Sequence, residues 1–246
     1  MKPRVRTRIG LAAILTLTAV SIFGQTRPWK EWSRKDAEKI LQDSPWSHQQ
    51  VETNVAEMFY KPTSDPRLTG RQGPNSAARL EEGATNSEVN VTYGIKFFSA
   101  RPVRRALVRI MQLKDGDLEP SIVERMNAFA DLPANDSIIL AVTFAATDKR
   151  AESRIMQAFA SAVSGTLRNT SYLERNDGKR LFLQEYVPPG RDGFGARFIF
   201  PRTIDGSTFV NPDSGEIRFV SEYATGLKLN MRFKVADMML DGKLEY

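Results

Sequence analysis

Hydrophobic and polar positions alternate most cleanly between residues 89 and 97, where Asn90, Thr92 and Lys96 separate Val89, Val91, Tyr93, Ile95 and Phe97. Successive side chains of a strand point to opposite faces, so this spacing predicts a half-buried strand. A second strand-like stretch over 51–60 puts Val51, Thr53, Val55 and Phe59 on one face. The two are expected to pair, with 61–88 thrown out between them as a mobile loop. That segment has three prolines, three glycines and, as large apolar residues, only Leu68 and Leu80, too few to support a packed element.

Helical spacing appears on either side of this pair. Ser33 with Asp36 three residues on forms a capping box, followed by the apolar stripe Ala37, Ile40 and Leu41; Ser44-Pro45 ends that helix. After Ala100, Pro102 stands at a helix start, and Val103, Leu107, Ile110 and Met111 line one face. A further helix, with Asp117 as its cap, carries Ile122, Val123, Met126 and Phe129. A third follows Asp148, with Ile155, Phe159, Ala162 and Val163 turned inward. The unbroken apolar run 138–142 predicts a central strand covered on both faces.

The last third is rich in strands. Asn176-Asp177-Gly178 is a hairpin turn joining 171–175 to 180–187, with further strands predicted at 195–200, 216–223 and 227–237. The fold class expected is α+β: one large, mostly antiparallel sheet with about three helices packed on one face, in a single domain spanning 25–246.

Composition changes the picture at the N-terminus. Lys2, Arg4, Arg6 and Arg8 precede an apolar run over 9–23, and no acid occurs before Gly24. Fifteen apolar residues suit the core of an export signal and fall short of the ~20 that span a bilayer. Residues 1–24 therefore read as a signal peptide cleaved after Gly24, with a periplasmic or extracellular mature chain and no transmembrane span. The rival reading is an uncleaved anchor, for which Thr16, Thr18 and Ser21 make the run polar. The whole chain has 35 Lys+Arg against 29 Asp+Glu, but removing the four basic residues of the signal leaves 31 against 29. The high isoelectric point thus belongs mostly to the leader and argues against nucleic acid as a partner. The absence of cysteine removes disulfides, thiol catalysis and thiolate metal sites together.

Trp32-x3-Asp36-Ala37-x2-Ile40-Leu41-x2-Ser44-Pro45-Trp46 resembles a recurring N-terminal motif of uncharacterised exported bacterial proteins. The ending Gly242-Lys243-Leu244-Glu245-Tyr246 is similar to the ends of such proteins. The likeness covers about 25 residues at the two ends. It implies export and assigns no catalytic residue.

Candidate chemistry is sparse. Trp29, Trp32 and Trp46 lie within 18 residues and read either as an aromatic platform for a sugar or peptide or as anchors of the first helix. Arg101, Arg104, Arg105 and Arg109 follow i, i+3, i+4, i+8 spacing, a cationic helix side suited to an acidic partner or phosphate, or simply a solvated face. His48, the single histidine, has no Gly-x-Ser-x-Gly elbow to serve and is too few for a histidine metal site. The glycine-rich 190–195 stretch enters a strand, not a helix, so it reads as a hairpin loop and not a phosphate cradle. No metal or cofactor is implied. The reading is an exported, non-enzymatic binding protein whose partner is an envelope protein or an anionic ligand. The alternative is a hydrolase using two carboxylates on envelope polymers or peptides.

Overall fold

The computed structural model describes residues 27–54, 89–133 and 136–246. The export signal expected at 1–24, the strand expected at 55–60 and the loop expected at 61–88 lie outside these residues.

The chain runs α1 (Arg34–Gln42), β1 (Ser47–Asn54), β2 (Val89–Phe97), α2 (Arg101–Lys114), α3 (Pro120–Asp131), β3 (Ser137–Ala146), α4 (Lys149–Ser161) and a single turn α5 (Ser164–Leu167). Then come β4 (Ser171–Arg175), β5 (Arg180–Phe182), β6 (Glu185–Val187), β7 (Ala196–Pro201), β8 (Thr203–Ile204), β9 (Ser207–Thr208), β10 (Glu216–Glu222), β11 (Lys228–Lys234), β12 (Met239–Leu240) and β13 (Lys243–Leu244). The fold is α+β, built on a large antiparallel sheet of five strands in the order β1-β2-β3-β7-β6.

The remaining long strands form a second antiparallel sheet, β11-β10-β4-β5, and the two sheets enclose one core. The alternation of β2 faces Val91, Tyr93, Ile95 and Phe97 inward, where they meet Phe198 from β7, Phe219 from β10 and Phe233 from β11. Phe97 meets Phe233 edge-on at 4.7 Å, and Phe198 meets Phe219 likewise at 5.1 Å. Burying each such ring is worth about 1.5–3 kcal/mol, so this aromatic layer is a main source of stability.

Two devices close the sides of the sandwich. The 180–187 stretch, expected as one strand, breaks at Leu183-Gln184: β5 pairs with β4 and β6 with β7, so one run of chain passes from one sheet to the other. On the opposite side the amide of Gln50 bridges the edges of β1 and β11. It donates to the Lys228 carbonyl at 2.8 Å and accepts from the Asn230 N–H at 2.8 Å. Edge backbone that would otherwise be unpaired is satisfied without a continuous ladder.

Helices α1, α2 and α3 pack on one another and share a small separate apolar cluster that includes Trp32, Ile40, Val108 and Ala130. The capping box at Ser33 forms as expected, with Asp36 accepting from the Ser33 N–H at 3.0 Å. Asp117 does not cap α3: the helix begins at Pro120 after Glu119, because proline at the first position fixes a helical φ and lacks an N–H needing a partner. Asp148 does cap α4, accepting from the Ala151 N–H at 2.9 Å, but the helix ends at Ser161, so Ala162 and Val163 lie beyond its stripe.

The two end motifs meet in space. Trp46 Nε1 donates to the Glu245 carbonyl at 2.8 Å, and the Glu245 carboxylate pairs with Arg101 at the start of α2. Tyr246 is buried, its hydroxyl donating to the Val210 carbonyl at 2.9 Å while Arg202 stacks on its ring. Residues some 200 positions apart thus clasp one side of the core.

Candidate functional site

The arginine and tryptophan surface anticipated from sequence is engaged inside the fold. Arg101 holds Glu245, with Nε 2.7 Å from a carboxylate oxygen; that hydrogen bond holds its guanidinium above its ordinary pKa. Arg104 is buried and donates to the carbonyls of Ser99 and Leu132, tying the start of α2 to the end of α3. Burial acts against its charge and lowers its pKa, and its Nε finds no acceptor. Arg105 pairs with Asp131 at 2.7 Å, and Arg109 donates to the Trp32 carbonyl at 2.7 Å. The four side chains are therefore paired within the fold, and the sequence-based picture of a cationic face turned to solvent is corrected: three carbonyls and two carboxylates take up their donors. Trp29, Trp32 and Trp46 are likewise buried, at 7%, 5% and 2% exposure, which leaves no exposed ring for a sugar or peptide to stack on. Trp29 and Trp32 pack in the apolar cluster shared by α1, α2 and α3, apart from the sheet, and Trp46 packs in the sandwich core.

The other sequence candidates fall apart in the same way. His48 stacks against Phe233 at 5.0 Å, and its Nδ1 is 4.0 Å from an oxygen of solvent-exposed Asp43. Burial lowers its pKa and the Asp43 charge partly restores it, but no hydroxyl nucleophile lines the adjoining cavity. The 190–195 stretch is the hairpin loop between β6 and β7. Its Gly195 has φ +82°, and a Cβ there would lie 2.2 Å from the Val142 carbonyl oxygen, so the glycine serves close backbone approach.

One concavity is of a kind that periodicity did not reveal. A cleft of about 690 Å³ opens between α4, the outer ends of β1 and β2, and the turn joining β10 to β11. That is within the range of small-molecule sites. Its floor is apolar, from Val89, Val91, Ile155, Ala158 and Leu227. Two groups on its lining lack partners. Tyr93 is 2% exposed, yet its hydroxyl makes no hydrogen bond among the described residues; burial, then the Glu52 charge, pushes its pKa up to about 12. The hydroxyl is left free to donate to an oxygen in the cleft. Arg154, exposed on the cleft side of α4, has no carboxylate partner among the described residues. Glu52 is the single acid on the lining and accepts from the Gln50 amide at 3.0 Å. Behind the floor, Tyr223 and Tyr186 share a hydroxyl contact of 3.5 Å, and Tyr186 donates to the Phe159 carbonyl at 2.7 Å, which locks α4 over the core.

A further unusual group is Lys96, on the face of β2 opposite the core. It is 8% exposed and its ammonium donates to the Thr143 hydroxyl at 3.3 Å; no carboxylate lies within ion-pair reach among the described residues. Burial lowers its pKa to about 8.

Sequence reasoning missed Tyr93, Arg154 and Glu52 because each has an ordinary role in its own element. Tyr93 is one more inward residue of an alternating strand, and Arg154 one more polar position on an amphipathic helix. Only the seating of α4 beside the outer ends of β1 and β2 brings them to one cavity. Among the described residues no group of three or more acids and histidines is disposed to hold a metal ion, and no helix is long and apolar enough to cross a membrane. Comparison with family models, with curated proteins and with solved structures found no match to this chain.

Proposed function

We propose that the chain is an exported envelope protein that binds a small zwitterionic ligand, an amino acid or short peptide, in the cleft beneath α4 without transforming it. One observation carries this reading: a mixed cleft on whose lining a phenol and a guanidinium both lack partners among the described residues, with a single carboxylate on the same lining. A ligand carboxylate satisfies Arg154 and Tyr93, its ammonium meets Glu52, and its apolar part covers Val89, Ile155 and Leu227. Hydrolysis by paired carboxylates needs two acids converging on one site, and Glu52 stands alone on this lining. Export rests on the basic-then-apolar pattern of 1–24.

The test is thermal unfolding of the 25–246 chain against the twenty amino acids and a dipeptide set, each at millimolar concentration. At least one class should raise Tm, since a ligand at 100 times its Kd adds about 2.7 kcal/mol. Tyr93→Phe and Arg154→Glu should abolish that rise while leaving the unliganded fold intact. No rise with any compound, or a rise that both variants retain, refutes the cleft. Mass analysis of the protein recovered from the native envelope checks export separately: the chain should begin at Gln25, and a chain still bearing Met1 overturns cleavage.

A further inference from the structure

A second cavity, of about 390 Å³, lies between α2 and α3, shares no lining residue with the cleft beneath α4, and differs from it in chemistry. Leu107 and Met111, one turn apart on α2, face Ile122, Met126 and Phe129, which follow i, i+4, i+7 spacing on α3. Phe194, from the loop between β6 and β7, completes the lining. Buried Phe98 touches both Phe194 at 5.1 Å and Phe129 at 6.0 Å, so three rings make a wall at the Phe129 end. The lining holds a single charge. Arg125 sits one turn from Phe129 towards the α2–α3 turn, is exposed, and among the described residues has no carboxylate partner and bonds to the Ser121 carbonyl of its own helix, at 3.4 Å.

We propose that this groove binds a single acyl chain ending in an anionic head, a fatty acid, with the chain against Met126, Phe129 and Phe194 and the carboxylate on Arg125. Three features select this ligand. The wall is apolar along its length, so a polar ligand would lose its hydration without compensation. The one cation stands a helical turn from Phe129 of the aromatic wall, which asks for a single anionic group on the ligand. A volume of about 390 Å³ is at the lower end of small-molecule sites, which suits one slender chain. Met111 and Met126 are unbranched and polarizable and can follow a flexible chain.

The experiment is calorimetric titration of the 25–246 chain with sodium dodecanoate below its micelle concentration, with dodecanol and dodecyltrimethylammonium as neutral and cationic controls. Dodecanoate should saturate one site and bind at least tenfold more tightly than the cation. Arg125→Glu, at an exposed position that leaves the fold intact, should weaken dodecanoate at least tenfold while dodecanol is unchanged. Met126→Gln should weaken dodecanoate and dodecanol alike. Arg154→Glu, in the other cleft, should change none of these affinities. Equal affinity for anion and cation, full dodecanoate affinity in Arg125→Glu, or no saturable binding overturns the proposal. None of those results bears on the cleft beneath α4, whose ligands and variants are different.

Discussion

Replacing Lys96 by methionine should stabilise the protein near neutral pH, which is unusual for a change at a buried, hydrogen-bonded position. The ammonium is 8% exposed, with Thr143 as its acceptor at 3.3 Å and no acid in ion-pair reach among the described residues. Burial brings its pKa from 10.5 to about 8. At 1.36 kcal/mol per pH unit, that difference amounts to about 3 kcal/mol against the charged form in the folded state. Methionine has nearly the same stem and no charge, but it forfeits the Thr143 bond, worth about 1 kcal/mol. The net gain expected at pH 7 is about 2 kcal/mol, or about 4–8 °C in Tm for a chain of this size. The sign follows from proton counts: between pH 8 and 10.5 the unfolded chain holds the Lys96 proton and the folded chain does not, so wild-type stability rises with pH across that window. The methionine variant lacks this increment, so its advantage should shrink steadily from pH 8 and be gone by 10.5. Urea unfolding of both proteins at pH 7, 8, 9 and 10 measures it. Comparing the two proteins cancels the tyrosines, whose burial has the opposite effect above pH 10. A variant less stable than wild type at pH 7, or an advantage independent of pH, would refute the reasoning.

Other substitutions separate struts from surface. Arg104→Ala leaves the Ser99 and Leu132 carbonyls unpaired and opens a cavity, and should cost about 2–4 kcal/mol in urea unfolding. Arg105→Ala, which frees only the half-exposed Asp131, should cost under about 1 kcal/mol; equal losses would show that burial does not govern the pair. Gly195→Ala places a methyl 2.2 Å from the Val142 carbonyl oxygen at φ +82°, and should fail to give a folded protein or lose more than about 3 kcal/mol. Gly193→Ala, also at positive φ but with nothing within 4 Å, should lose about 1 kcal/mol by the same assay.

The placement of elements was legible wherever a single face decided it. The β2 alternation, the Ser33 capping box, the Asp148 cap and the hairpin at Asn176-Asp177-Gly178 depend on neighbours within a few residues, and each is present in the structure. Boundaries set by more distant partners were not legible. β1 begins at Ser47, ahead of the predicted start at 51, because Ser47 to Asn54 pairs with a strand that begins after the intervening segment. The 180–187 run splits because its two halves meet different sheets.

Side-chain roles divided the same way. The i, i+3, i+4, i+8 arginines place four guanidinium groups along one helix, and spacing alone makes them a cationic surface. Glu245, Asp131 and three backbone carbonyls, from 5 to 144 residues away, make them struts. Local hydrophobic pattern and capping chemistry act over a few residues, so the sequence by itself determined the α+β class, most helices and strands and the absence of thiol chemistry. Hydrogen bonding and burial act over distance in space, so only the tertiary structure decided that the strands divide into two sheets, that the arginines are paired within the fold and the tryptophans buried, and that Tyr93, Arg154 and Glu52 share a cleft.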